Sequence, residues 1–287
     1  MPKILIIGLD GMTWDVFKYI NIDHLSFFRE ILREGLWTDL ISTVPPITQP
    51  AWTSIFTGVN PGKHGIPDFI IRMGDNFVLA GSEHRTCETL WSILSRKGKK
   101  IIVEDPITYP AEYVNGIMLR TISGTLRDKD IITTYPSEDV VKYLKCSKTN
   151  LANLFFKTVA TNRDYSVNYL IELVKLQTNI FNKLIKNYEW DVSANIYLAT
   201  DWIHHYFWGE KNNVSRFYKV LDSSLKTLLD IASSEDATIF IVSDHGFGAF
   251  YEHIHINTIL NQLGFTKINW TMSQVFISTL LSIITKS

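Results

Sequence analysis

The sequence predicts an α/β fold built on a mostly parallel central sheet flanked by helices, and three patterns predict it. Short, continuous apolar runs rich in β-branched residues recur along the chain, as strands covered on both faces require. Helical patterns alternate with them, the order that a parallel sheet with crossover helices produces. Three of the runs lead directly into an aspartate: Asp10, Asp201 and Asp244. That gathers carboxylates at the carboxyl edge of the sheet, where open α/β sheets bind their ligands.

The first run, Ile4–Leu9, closes on Asp10. It is too short for the apolar region of a secretory signal, and a charge stands where a cleavage site would be. A buried first strand in a cytoplasmic protein is the expectation. A helix follows over Leu25–Glu34. From Thr43 the chain reads Thr-Val-Pro-Pro-Ile-Thr-Gln-Pro-Ala-Trp-Thr-Ser-Ile-Phe-Thr-Gly, ending at Gly58. The prolines stiffen the approach, Pro50 suits a first helical turn and Gly58 a helix end, so Thr48 falls at a helix N-terminus. Cys87–Lys97 predicts a helix feeding a strand over Lys100–Val103. Residues 106–163 are irregular, with Pro106, Pro110, Pro136, Gly116 and Gly124, and read as a cap or insertion over one edge of the sheet. A helix over Tyr165–Tyr188, a strand over Asn195–Ala199, a helix over Val214–Ala232 and a strand over Thr238–Val242 follow. A short helix over Asn257–Gly264 precedes an apolar tail from Val275 to Thr285. The tail falls short of the roughly 20 residues a membrane-spanning helix needs. Residues 1–287 are read as one domain, with 265–287 as its tail.

The 287 residues are 46% hydrophobic and 20% charged, which allows a sizeable core. A net charge of −1 gives no electrostatic case for nucleic acid or an anionic membrane surface. Cys87 and Cys146 have no metal-ligand spacing and fit a reducing compartment. Three carboxylates at one sheet edge repel one another unless something cationic sits among them, and a divalent metal, or two, is the economical answer. Histidine accompanies two of them. Asp244-His245-Gly246 puts two ligand types on adjacent residues. Asp201 and His205 are four apart and share one face of a helix, whereas His204 points a quarter-turn away and is the weaker ligand candidate. A single aspartate at a strand end is ordinarily a helix cap, and a lone histidine is ordinarily packed. Repetition of the feature at three strand ends favours a site. For Thr48, spacing leaves two readings open: a helix cap, or a nucleophile at a helix end that favours an arriving phosphate.

The ordered set Ile7-Gly8-Leu9-Asp10-Gly11, the Thr48 segment running on through Thr57-Gly58-Val59-Asn60-Pro61-Gly62-Lys63-His64-Gly65-Ile66, and Ser243-Asp244-His245-Gly246 resembles the type I phosphodiesterase/nucleotide pyrophosphatase branch of the alkaline phosphatase superfamily. Asp201 to His205 is similar to that branch's Asp-x-x-x-His metal motif. The resemblance covers residues 3–70 and 190–265 and is closest to archaeal and bacterial members. It implies an alkaline-phosphatase-like fold and two divalent metal ions, usually zinc, with manganese the alternative. Asp10, Thr48, Asp244 and His245 match the ligands of one ion, and Asp201 and His205 match two ligands of the other. Thr48 matches the nucleophile that takes the phosphoryl group from a small phosphorylated substrate before water removes it. His64 matches a loop histidine, read here as structural, and His24 and His84 match no motif.

Two positions depart from the branch. Pro67, Asp68 and Phe69 stand where an asparagine normally donates to a phosphate oxygen, which leaves diester and monoester substrates both open. The branch takes its last metal ligand from a histidine well beyond Asp-His-Gly, and no histidine follows His255. The expectation is a truncated or split chain; the alternatives are substitution by His253 or His255, or an under-coordinated second metal. The leading function is metal-dependent hydrolysis of a phosphodiester or phosphomonoester. A phosphomutase of the same superfamily and a non-catalytic remnant are the alternatives, and a sulfatase is excluded because threonine cannot become formylglycine. Trp14, Trp52, Trp202, Phe207 and Trp208 lie close to the motifs. They read mainly as core, with stacking on a substrate ring as the other use.

Overall fold

The computed structural model describes residues 2–107, 112–121, 131–135, 139–140, 150–252 and 254–267. The chain divides into two compact units, Met1–Gly248 and Ala249–Ser287.

In the first unit the apolar runs form the strands β1 (Ile4–Leu9), β4 (Ile101–Glu104), β7 (Val192–Tyr197) and β8 (Thr238–Val242) of one sheet. Two further strands join it, β5 (Gly116–Leu119) and β6 (Ile131–Thr133), giving the order β6-β5-β4-β7-β1-β8. All neighbouring pairs are parallel except β5 with β6, so the expected mostly parallel α/β architecture is the one observed. β5 and β6 fall within 106–163, so the described part of that region contributes to the sheet itself. A separate antiparallel hairpin, β2 (Ile70–Met73) with β3 (Asn76–Leu79), follows the Pro67-Asp68-Phe69 stretch.

Register explains the strand boundaries. Ile4 pairs with Val192 on one side and Thr238 on the other, so β1 is covered by neighbours along its length. β7 begins three residues before the sequence reading placed it, because Val192 is bonded in register with both Ile4 and Ile101. It stops at Tyr197, and the helix α7 (Ala199–Phe207) takes over. β4, β5 and β7 are buried throughout, whereas β8 at the sheet edge leaves Thr238 and Phe240 exposed.

Helices cover both faces. One face carries Leu5, Ile7, Leu9, Ile102 and Tyr197, packed with α1 (Ser26–Glu34), α6 (Arg163–Asn187) and α8 (Lys211–Ser234) through residues such as Phe28, Phe181 and Leu225. The short helix α5 (Leu151–Thr158) packs on α6. The other face carries Ile101, Val103, Ala194 and Ile196, packed with Trp52 and Phe56 of α2 (Thr48–Thr57) and Trp91 of α4 (Leu90–Arg96). α4 starts three residues later than its apolar pattern suggests, because Thr89 caps it by accepting from the Ser92 amide. The turn α3 (Pro61–His64) follows α2, and the buried His64 donates from Nε2 to Ser54 Oγ at 2.9 Å. That tie fits its structural reading.

The second unit contains α9 (Ile256–Gln262), preceded by His255. His253, Cys146 and the apolar stretch from Val275 to Thr285 lie outside the described residues. No helix among the described residues is long and apolar enough to cross a membrane.

Candidate active site

The parallel register brings the ends of β1, β7 and β8 to one edge. Asp10 follows β1 directly, its amide donating to Tyr197 O at 3.2 Å. Asp244 and His245 follow β8 after Ser243. α2 approaches β1 so closely that a Cβ on Gly8 would stand 2.5 Å from the Trp52 ring. This approach sets the start of α2 over the end of β1.

Thr48 is the first residue of α2, and its hydroxyl caps nothing: Ile47 holds the cap position and makes no side-chain cap bond. Instead Thr48 Oγ1 lies 3.4 Å from Asp10 Oδ1 and 3.2 Å from His245 Nε2. The hydroxyl is almost fully buried and sits at a helix end whose first N–H groups have no intrahelical acceptors.

The two carboxylates of this cluster are held from behind. Asp10 Oδ2 accepts from Trp52 Nε1 at 2.9 Å, and Asp244 Oδ1 accepts from the Gly11 amide at 3.1 Å. Ser42 donates to Asp244 O at 2.6 Å. His245 Nδ1 is 2.9 Å from Gly246 O; a carbonyl only accepts, so Nδ1 carries the hydrogen. The ring thereby turns Nε2 towards Thr48, Asp10 Oδ1 at 3.6 Å and Asp244 Oδ2 at 3.4 Å. Asp10, Asp244 and His245 present ligand atoms within 4.8 Å of one another, the grouping a metal ion requires.

α7 supplies the other pair. Asp201 is buried and His205 half-exposed, with Asp201 Oδ1 3.3 Å from His205 Nε2. The Asp201 carboxylate beside it raises the His205 imidazole above its ordinary pKa. Asp201 also lies against Gly11, where a Cβ would come 2.8 Å from Oδ1. Gly11 has a φ of 61°, a conformation that favours glycine.

Electrostatics shows that the cluster is short of positive charge. Burial, then the charges of Asp244 and Asp201, hold the Asp10 carboxyl well above the usual carboxylate range, against the hydrogen bonds from Trp52 and Thr48. Burial likewise pushes Asp244 up to about 6. Asp244 Oδ2 is buried without a hydrogen-bond partner among the described residues and faces His245 Nε2 at 3.4 Å. Carboxylate oxygens and an imidazole nitrogen converging on one point are the donor set of a divalent cation, so these residues fit the metal the sequence reading implied.

A groove of about 710 Å³ opens beside His245 and Met12 and runs along β8 past Trp14 and Trp37. Trp14 and Trp37 meet edge to face, their centroids 5.8 Å apart.

Asp10, Thr48, Asp244 and His245 thus come together as the motif order suggested, with Asp201 and His205 paired beside the Gly11 turn. Sequence reading missed their supports: Trp52, Ser42, Gly11 and Thr200, whose hydroxyl is 2.6 Å from the carbonyls of Asp10 and Tyr197. Trp52 and Thr200 carried one signal each, the first lying one helical turn from Thr48 and the second next to Asp201.

The family profile described as type I phosphodiesterase / nucleotide pyrophosphatase matches residues 4–283. The chain belongs to that family. No curated protein matches this type I phosphodiesterase / nucleotide pyrophosphatase member in sequence. Among solved structures, its fold resembles phosphonoacetate hydrolase from Sinorhizobium meliloti in complex with phosphonoformate, with a TM-score of 0.65 at 16% identity over 93% of this chain and 62% of that one. It also resembles murine ectonucleotide pyrophosphatase / phosphodiesterase 5 in complex with AMP, with a TM-score of 0.53 at 15% identity over 86% of this chain and 57% of that one. The chain therefore spans less than two thirds of the length of either structure.

Proposed function

We propose that this chain catalyses metal-dependent phosphoryl transfer to water, cleaving a phosphodiester or phosphomonoester with Thr48 as nucleophile. The observation that carries the reading is the Thr48 hydroxyl: it leads a helix without capping it and is aimed into the Asp10–Asp244–His245 cluster. Asp10, Thr48, Asp244 and His245 would hold one divalent ion, and Asp201 and His205 would contribute to a second. The mixed imidazole and carboxylate donors suit zinc, with manganese the alternative. Bound there, the ions supply the positive charge that favours the Thr48 alkoxide and offsets charge on the phosphoryl oxygens.

The residues then divide the work. Thr48 Oγ1 attacks phosphorus as its proton leaves to solvent, the bond to the ester oxygen breaks, and the departing oxygen is protonated by water. Water next forms a bond to phosphorus, the bond to Thr48 Oγ1 breaks, and the threonine hydroxyl is restored. The N–H groups at the start of α2 would face phosphate oxygens, a contribution that carries more weight because Pro67, Asp68 and Phe69 stand where the branch has an amide donor. The groove past Trp14 and Trp37 gives an organic leaving group an apolar wall.

The test is turnover of a nitrophenyl phosphodiester and the matching monoester, with zinc or manganese, by wild type and Thr48→Ala. The expected result is turnover that falls by about three orders of magnitude or more in the variant, and the preferred ester assigns diesterase or phosphatase. Turnover unchanged in Thr48→Ala removes the nucleophile. No turnover of either ester by folded, metal-supplied wild type removes the hydrolase reading in favour of a mutase or a non-catalytic chain.

A further inference from the structure

His204 is fully buried beside the site, yet neither of its nitrogens faces the carboxylate cluster. Nδ1 lies 2.9 Å from Gly11 O and Nε2 lies 2.9 Å from the Tyr218 hydroxyl. The carbonyl can only accept, so Nδ1 carries the hydrogen and Nε2 accepts from Tyr218. The ring is clamped in that orientation. It stacks on Tyr218 at 16° and meets Trp208 edge on at 89°, with Phe247 against it as well.

The residue whose carbonyl His204 grips is the one the site depends on. The Gly11 amide donates to Asp244 Oδ1 at 3.1 Å, its α-carbon leaves room only for Asp201, and Asp10 precedes it. On α7, Thr200 and His204 are one turn apart and hold the carbonyls of Asp10 and Gly11. Asp201 and His205, also one turn apart, lie on the adjacent face and pair with each other. A single helix thus binds the turn that orients one ligand group while carrying the other.

We infer that His204 is a positioning residue that fixes the Gly11 carbonyl and, through that residue, the placement of Asp10 and Asp244 relative to Asp201 and His205. The inference rests on the reading of those four side chains as metal ligands. It assigns to His204 a role distinct from metal ligation, since both of its nitrogens are already engaged. Groups that support a ligand from behind affect metal affinity by about 10–100-fold when removed.

Two measurements on three variants test it. His204→Asn keeps an N–H near the Nδ1 position and preserves the Gly11 bond, His204→Phe keeps the ring and loses both bonds, and His204→Leu matches asparagine in shape and loses both bonds. Hydrogen exchange at the Gly11 and Met12 amides, in metal-free protein, reads the tie directly. Zinc titration by calorimetry reads its consequence. In His204→Phe the amides are expected to exchange at least about tenfold faster and zinc to bind at least about tenfold more weakly, with His204→Asn close to wild type in both. Unchanged exchange in His204→Phe overturns the inference, and so does His204→Asn as impaired as His204→Phe, which would leave only a packing role. Should His204→Phe not fold, the Gly11 and Met12 amides in His204→Leu decide: exchange faster than in His204→Asn supports the tie and equal exchange overturns it. A wild type that binds no zinc would sink the metal reading itself, while the exchange comparison would still judge the His204 tie.

Discussion

Thr121 has one hydroxyl hydrogen and two carboxylate oxygens facing it, Glu104 Oε1 at 2.6 Å and Asp105 Oδ2 at 2.9 Å. One of the acids must therefore carry a proton. The fully buried Glu104 is the one, because burial and then the neighbouring Asp105 hold it well above the usual carboxylate range. A protonated Glu104 donates to Thr121, which donates to Asp105. The carboxylates of the candidate site have His245 Nε2 beside them instead, 3.6 Å from Asp10 Oδ1 and 3.4 Å from Asp244 Oδ2. Glu104→Gln should consequently leave stability at neutral pH within about 1 kcal/mol of wild type. A folded-state pKa above the unfolded value gives stability that is present at low pH and lost as pH rises through the folded value. Denaturant melts across the alkaline range should show that loss in wild type and its reduction in the glutamine variant. A large loss of stability at neutral pH would mean that Glu104 is charged. Sequence alone separated neither cluster by charge state. Asp10, Asp201, Asp244 and His245 were legible because strand ends repeat them, and Thr48 because prolines frame it. The direction of the Trp52 N–H and the two bonds of His204 depend on packing that no local pattern carries.

At the scale of elements, the site depends on how closely α2 lies over β1. Gly8 permits that contact, since a Cβ there would meet Trp52 at 2.5 Å and Ile196 at 2.9 Å. Both neighbours are rigid and buried, so neither can yield cheaply. Gly8→Ala is expected to destabilise the protein by about 1–3 kcal/mol through overpacking and to reduce turnover by displacing Thr48 from Asp10. Thermal melts and the ester assay measure the two effects, and a variant with wild-type melting would show that α2 can shift without cost. The strands with long apolar runs were legible for a physical reason: burial on both faces leaves a continuous signal. β5 and β6 were not, because Gly116–Leu119 and Ile131–Thr133 are too short to stand out from irregular flanks. The start of β7 was missed by three residues because Ser193 and Ala194 are weak strand formers, held there by pairing with Leu5 and Ile6.

Across the whole molecule, buried carboxylates link folding to metal and to pH. Asp10 is raised well above its ordinary value by burial, Asp244 and Asp201, and Asp244 is raised to about 6 from 3.8. Both folded-state values lie above the unfolded ones. The stability these groups contribute is complete below the unfolded value and is lost as pH rises through the folded value. For Asp244 the window runs from 3.8 to about 6, and Asp10 extends the loss upward. The size for Asp244 alone is on the order of 3 kcal/mol. Metal-free protein should therefore melt at lower temperature at pH 7 than at pH 5 as far as these two groups govern it. A divalent ion bound between the same carboxylates removes the repulsion, so zinc should restore stability more at pH 7 than at pH 5, where protons compete for the ligands. Calorimetric melts with chelator and with zinc at the two pH values measure the difference. Asp244→Asn should flatten both the pH dependence and the zinc effect. If zinc stabilised wild type and Asp244→Asn equally, the ion would be binding elsewhere, and the carboxylate cluster would have to be neutralised by protons, as Glu104 is.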